Sequence, residues 1–281
     1  MGKMPASKSM AQEFSADHIR QFTFQSIGNI ESDHRYQYEA PRQAVFASGA
    51  AFLRWNDPVY ASCAGDLTGF DRIWLIWVFD RNKTARWRSK VRVPVPAEHD
   101  RYSVFATRSP HRPNPIGISA VELQAVTPEG LQLGACDLLD GTAVLDVKPY
   151  IPQVDSFPAA RAGWRDSVEE AAWQLHWSEK ALRQAGFIFQ GCGLDLKNFC
   201  HVQLSFRPVD TSRKRLVFNE ELQQWQLHCR TWKIFFVLNE PERRICIDCI
   251  ASNYSSEDLL PDSPDKYLDK ELHRQFLRCF G

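Results

Sequence analysis

The run Ile73-Trp-Leu-Ile-Trp-Val-Phe79 most restricts what this chain can fold into. Seven consecutive apolar residues, rich in β-formers, are too few for a globular helix with its own caps and predict a central strand. Upstream, Phe22-Thr-Phe24-Gln-Ser-Ile27 alternates apolar and polar residues, the pattern of a half-buried strand. Leu131-Gln-Leu133 and Ala143-Val-Leu-Asp-Val147 predict two more, separated by the turn signal Asp140-Gly141. Pro41, Pro94, Pro96, Pro113, Pro115, Pro149 and Pro152 punctuate these elements, where a missing N–H does not interrupt a ladder. Short strands without a βαβ rhythm exclude a Rossmann sheet and predict a mainly β barrel or sandwich.

The pattern changes near residue 158. Val168, Ala171, Ala172, Leu175 and Leu182 fall at helical spacing and predict a helix over 166–185, capped by Asp166 or Ser167 and stopped by Gly186. Val202–Phe206, Trp225–Cys229, Trp232–Leu238 and, more weakly, Ile245–Ile250 alternate and predict about four strands. An acidic, proline-broken stretch from Ser255 to Glu271 then leads to an amphipathic segment around Leu272, Phe276 and Leu277.

Composition narrows the function classes. With 281 residues and 44% hydrophobic content, a sizeable core is available. No apolar run approaches the ~20 residues of a membrane span, and no secretory signal is recognisable. Eight cysteines are too sparse for a disulfide scaffold, which points to reduced thiols and a cytoplasmic location. Cys246-Ile-Asp-Cys249 has metal-type spacing but no second pair, and reads as structural; no metal is expected. The 34 basic and 34 acidic residues cancel, so an anionic partner has to be sought in their distribution. Arg81, Lys83, Arg86, Arg88, Lys90, Arg92, Arg101, Arg108 and Arg112 stand against only Glu98 and Asp100 within 81–112. Such a cluster fits a polyanion or an anionic ligand, with a solvated charged face as the competing reading.

The densest motif is Val104–Ser119, where Arg108 and Arg112 sit among three prolines and Gly117. Stiff backbone around guanidinium forks pre-organises recognition of carboxylate or phosphate. A second is Cys136–Tyr150, in which Asp146, Lys148 and Tyr150 share one strand face by their period of two. These three are the candidate catalytic groups, as acceptors of a substrate proton. The third, Ala40-Pro-Arg-Gln43, is unspecific alone.

In this order and spacing the three motifs resemble the TsaA-like family, whose characterised bacterial members are TrmO tRNA methyltransferases. The resemblance spans roughly Phe22 to Pro158. It implies a single-sheet β-barrel that binds S-adenosyl-L-methionine at a homodimer interface. It also implies methyl transfer to N6 of threonylcarbamoyladenosine at position 37 of tRNA, with the anticodon arm as partner and no membrane. The expected organisation is then a flexible tail at 1–18, the barrel at 19–158 and a C-terminal α+β domain at 159–281 that could contact tRNA. Cofactor contacts are implied at Pro41, Arg42, Gln43, Asp80, Arg81, Arg108, Ile118, Asp140, Gly141, Thr142 and Ala143. Asp80-Arg81 stands where the family has His-Gln, and Ala143 where it has Pro.

Candidate substrate or tRNA contacts are Arg92, Arg112 and Asn114, together with Arg207, Arg213, Lys214 and Arg215. The family's Asp-Pro-Arg-Pro-x-Tyr segment corresponds to Ser205–Asp210, which keeps Arg207 and Pro208 but has Ser205 and Asp210 in place of Asp and Tyr. That departure sustains an alternative: a module that binds the methyl donor, or a regulatory RNA-binding protein, without methyl transfer.

Overall fold

The computed structural model describes residues 20–41, 43–44, 49–82, 87–93, 98–168, 172–206, 208–210 and 215–281. The expected tail, Arg42, Lys83, Arg86, Arg207, Arg213 and Lys214 lie outside the described residues.

Six strands close the barrel: β1 (Gly28–Glu31), β2 (Ala51–Trp55), β3 (Arg72–Val78), β6 (Ile116–Thr127), β7 (Gly130–Leu133) and β8 (Ala143–Pro149). Their order around it is β1-β2-β7-β6-β3-β8, every neighbouring pair antiparallel. A separate small hairpin pairs β4 (Lys90–Arg92) with β5 (Arg101–Ser103). The apolar run is indeed a central strand, β3, flanked by β6 and β8. Ile73, Leu75 and Trp77 point into the barrel, where they join Ile30, Leu53, Val121, Leu131 and Val144. Each such side chain contributes ~1.5–3 kcal/mol by leaving water.

One expectation for this half is corrected. Phe22–Ile27 forms no strand; β1 begins at Gly28, and Phe22 and Phe24 are exposed, stacked on one another. Alternation alone cannot supply a neighbour to pair with. The two strands expected around the Asp140-Gly141 turn are present as β7 and β8, with Gly141 at φ +76°, though they do not pair with one another. β8 instead runs between β1 and β3 and completes the closure.

After α1 (Pro152–Asp155) comes the second unit: β9 (Gln174–Trp177), α2 (Glu179–Cys192), α3 (Leu196–Leu204), β10 (Leu216–Asn219), β11 (Gln224–Cys229), β12 (Trp232–Asn239), β13 (Arg244–Ser252) and α4 (Lys270–Phe280). The sheet order is β10-β11-β12-β13-β9, with only β9 parallel to its neighbour. The helix expected over 166–185 is displaced. Leu175 belongs to β9, and α2 starts after Ser178, whose hydroxyl accepts from Ala181 N at 3.0 Å. Gly186 lies inside α2, and the stop is Gly193 in the left-handed region at φ +69°. Val202–Phe206 is likewise no strand. Val202, Gln203 and Leu204 end α3, which Asp195 caps by accepting from Asn198 N at 2.9 Å. Both misreadings come from short windows in which periods of 2 and 3.6 look alike.

The second core gathers Ile188, Phe199, Trp232, Ile234, Phe236, Ile247 and Phe276 between helices and sheet. Within it, fully buried His273 of α4 stacks on Trp232 at 3.7 Å. Its Nδ1 lies 2.7 Å from Ser252 Oγ and its Nε2 2.9 Å from Thr231 Oγ1. The Thr231 hydroxyl also donates to Asp269 Oδ2 at 2.7 Å, so the β11–β12 turn is bolted to α4. No helix among the described residues is long and apolar enough to cross a membrane.

Candidate functional site

The barrel topology gathers the motifs. β1 and β3 finish, and β6 and β8 begin, at the same end of the barrel, as the registers Val78↔Ile116 and Asn29↔Ala143 show. Ala51↔Leu133 places the start of β2 and the finish of β7 there too. The three connections leaving that end are 32–50, 79–115 and 134–142. They carry Pro41–Gln43, Arg108 with its proline-rich loop, and Asp137–Thr142.

Hydrogen bonds lock the three together. Arg108 Nη1 donates to Gln43 Oε1 at 2.5 Å, joining the first motif to the second. Arg81 donates to the carbonyls of Arg35, at 3.1 Å, and Asp140, while Gln37 Nε2 donates to the Arg81 carbonyl at 3.2 Å. Asp140 N donates to His34 O at 2.9 Å, and Asp140 Oδ1 accepts from Ser32 N at 3.2 Å. Gly141 is favoured by its φ of +76°, and an added Cβ would also lie 3.3 Å from Arg81 Nη2, close enough to make that side chain shift. Gly117 allows the Trp77 indole to lie against the β6 backbone, where any Cβ would collide with it. Asp80 is exposed just past β3, Thr142 is buried, and Ala143 opens β8.

The remaining candidates divide between the barrel's outer face and the loops. Ile118 is 46% exposed and pairs in register with Ile76, which pairs in turn with Asp146. Asp146 accepts from Val147 N at 2.9 Å and pairs with Lys148 at 2.8 Å, while Tyr150 packs against Trp74. Thus the three proposed proton acceptors occupy the outer face and not the interior. Arg112 Nη2 donates to the Thr107 carbonyl at 3.0 Å and so braces its own loop. Asn114 is exposed. Arg92 lies on the hairpin with Arg88, Lys90 and Arg101 nearby, all exposed, and meets Asp100 at 3.6 Å. Arg215 covers the Tyr38 ring at 3.6 Å.

One carboxylate of this end escaped the motif reading. Asp137 Oδ1 is buried without a hydrogen-bond partner. Burial pushes its carboxyl above the usual carboxylate range, against a hydrogen bond from Ser119 and the charge of Arg108. Ser119 Oγ accepts from Trp77 Nε1 at 3.1 Å, which leaves its proton for Asp137. The signal was available in Cys136-Asp-Leu138, a carboxylate between two residues that proved buried. Its neighbour Cys136 is buried, which pushes its thiol up to about 12 and disfavours the thiolate. At the same barrel end, a cleft of ≈160 Å³ opens between the 32–50 connection, Cys136 and the helices α2 and α3, lined by Asp33, His34, Asn198 and Phe199. That is below the roughly 300 Å³ at which small-molecule sites begin.

Residues 29–156 match the family model for the tRNA-methyltransferase O N-terminal domain. The Escherichia coli (strain K12) tRNA (adenine(37)-N6)-methyltransferase is 37% identical over 169 residues, which cover 58% of this chain and 72% of that protein. The chain belongs to the TrmO family. A probable S-adenosyl-L-methionine-binding protein of Pyrococcus abyssi is 35% identical over 158 residues, 56% of this chain and 80% of its own. The crystal structure of TrmO from Pseudomonas aeruginosa superposes with a TM-score of 0.60 at 26% identity, over 83% of this chain and 99% of that one. The likeness to TrmO structures thus reaches past the barrel into the second unit.

Proposed function

We propose that this TrmO-family chain transfers a methyl group from S-adenosyl-L-methionine to N6 of the adenosine at position 37 of tRNA, in its threonylcarbamoylated form. The tRNA methyltransferase activity and the methyl donor follow from the family and from the named activities of its relatives. The threonylcarbamoyl group is the finer part of the reading. The observation that carries the site assignment is the meeting of three motif segments at one barrel end, fastened by Arg108–Gln43 and Arg81–Asp140.

The residues present suit the donor's chemistry. S-adenosylmethionine presents a carboxylate, an ammonium and a sulfonium, so its pocket needs both signs of charge. This end supplies Arg81 and Arg108 alongside Asp80, Asp137 and Asp140, and Asp137 has an unfilled acceptor oxygen. Pro41, Arg42, Gln43, Ile118 and Thr142–Ala143 complete the proposed contacts. When bound, the donor supplies an electrophilic methyl whose positive charge vanishes on transfer.

The chain's own contribution is placement, a dry wall and a proton acceptor. Trp77 and Phe79, edge to face at 4.2 Å, supply apolar surface at the end of β3. The proton leaving N6 goes to a carboxylate: Asp146 on the outer face, steadied by Lys148, or Asp137 in the barrel mouth. pH–rate profiles of Asp146→Asn and Asp137→Asn separate the two. The exposed hairpin arginines, with Arg207 and the Arg213-Lys-Arg215 run, are assigned to the phosphates of the anticodon arm. The half-exposed row Ile76, Ile116 and Ile118 borders the donor residues, and we assign it to a homodimer interface. The enzyme is read as cytoplasmic, with its eight cysteines free.

The deciding experiment supplies labelled methyl donor with tRNA bearing, or lacking, the threonylcarbamoyl group. Label only in the modified tRNA supports the reading. Equal label in both removes the threonylcarbamoyl part. Donor binding without transfer to either reduces the chain to a binding module.

A further inference from the structure

Among the described residues, a buried ion pair connects the loop-bearing end of the barrel to the C-terminal sheet. Glu39, in the segment that runs into Pro41–Gln43, meets Arg230 in the two-residue turn between β11 and β12. The side chains are 4% and 8% exposed. The contact is a bidentate fork, with Arg230 Nε and Nη2 donating to the two Glu39 oxygens at 2.5 and 2.8 Å. Glu39 Oε2 also accepts from Arg35 N at 2.9 Å and Tyr36 N at 3.2 Å, so one carboxylate closes the 35–39 turn and docks it.

Both ends of this contact are held firmly. Arg230 adopts φ +51°, as the tight β11–β12 turn requires, so its backbone is fixed by that turn. Thr231 beside it is tied to Asp269 and His273 of α4. On the barrel side, the carbonyls of His34 and Arg35 accept from Asp140 N and Arg81, the two residues that shape the Gly141 loop. Flanking contacts run the same way: Gln203 Nε2 donates to Tyr38 O at 3.1 Å, and Arg215 covers the Tyr38 ring.

We propose that the Glu39–Arg230 pair is a strut by which the C-terminal sheet sets the geometry of the methyl-donor loops, which makes both of them positioning residues. A buried ion pair adds little net stability over well-packed apolar side chains, so its effect lies in specifying one arrangement. The strut also links the unit proposed to touch tRNA with the loops proposed to hold the donor. It rests on the donor site assigned above.

The double variant Glu39→Gln/Arg230→Met tests it, since it removes both charges and the fork while the Gln oxygen still accepts from the Arg35 and Tyr36 amides. Amide hydrogen exchange of the free protein and calorimetric donor affinity are measured on wild type and variant. The expected result is faster exchange at 34–41, unchanged exchange in β3 and β6, and donor affinity at least fivefold weaker. Arg230→Lys, which keeps the charge but not the fork, is expected to fall between the two, and it carries the same comparison if the double variant does not fold. Affinity weakened less than fivefold, or exchange accelerated throughout the barrel, overturns the proposal. A wild type that takes no donor overturns the site assignment itself, and the strut's role with it, whatever the exchange at 34–41 shows.

Discussion

Asp137→Asn should make the protein more stable and a poorer binder of its methyl donor. The substitution keeps the shape and the hydrogen bond from Ser119 while removing a charge whose Oδ1 is buried without a partner. Leaving such a group unsatisfied costs ~1–3 kcal/mol. Part of that gain is offset, because the variant loses the attraction of Arg108 and still buries an amide. The net expectation is about 1 kcal/mol of stabilisation at neutral pH, or a rise in Tm of ~2–4 °C for a domain of this size.

The pH dependence has a definite sign. Burial raises the Asp137 pKa in the folded state, so between the unfolded value and the folded one the native protein binds more protons than the unfolded chain. Wild-type stability therefore carries no penalty from this group below about pH 4. It falls by up to ~1.4 kcal/mol for each pH unit between the unfolded and the folded pKa, and levels off above the latter. The variant lacks that loss. Urea unfolding of both proteins at a series of pH values should give curves that converge in acid and separate towards neutrality, with the variant above. Parallel curves, or a variant below wild type at pH 7, would refute the reasoning that Asp137 is a buried, unfilled acceptor.

Three other outcomes are expected. Arg108→Ala removes the fork bound to Gln43 and should weaken donor binding by about 1.5–3 kcal/mol, roughly ten- to a hundredfold, in a calorimetric titration of the folded variant. Replacing Lys90, Arg92 and Arg101 together by Gln should flatten the salt dependence of tRNA binding by ~0.7–0.9 per lost phosphate contact and leave donor affinity unchanged; parallel slopes would clear the hairpin of any phosphate contact. His273→Ala leaves Asp269, Thr231 and Ser252 short of partners beside an emptied space against Trp232, and chemical denaturation should show a loss of at least ~3 kcal/mol.

How much was legible in the sequence depended on how local the cause was. β3 is set by its own apolar run, and the motif residues carried enough chemistry to mark one end of a barrel. Their convergence was not readable, because it follows from β8 inserting between β1 and β3 and no local pattern encodes that pairing. The helix expected over 166–185 failed because Leu175 and Trp177 also satisfy a short strand, and the cap at Ser178 became visible only once β9 was removed from the window. Glu39 and Arg230 lie 191 residues apart, and each alone is an ordinary charged residue. Asp137 carries no periodic signal: period two marks the exposed face with Asp146, whereas the carboxylate with the buried, unpartnered oxygen lies in the irregular segment between β7 and the Asp140-Gly141 turn.

A crystal structure of the complex with S-adenosyl-L-methionine shows where the methyl donor binds. The donor is expected at the barrel end, touching Gln43, Arg108 and the Asp140–Ala143 loop, with a charged group of the ligand turned to Asp137. A donor seated instead on the C-terminal sheet, or on the α2–α3 side of the 32–50 connection away from Gln43, Arg108 and the Asp140–Ala143 loop, would contradict this placement.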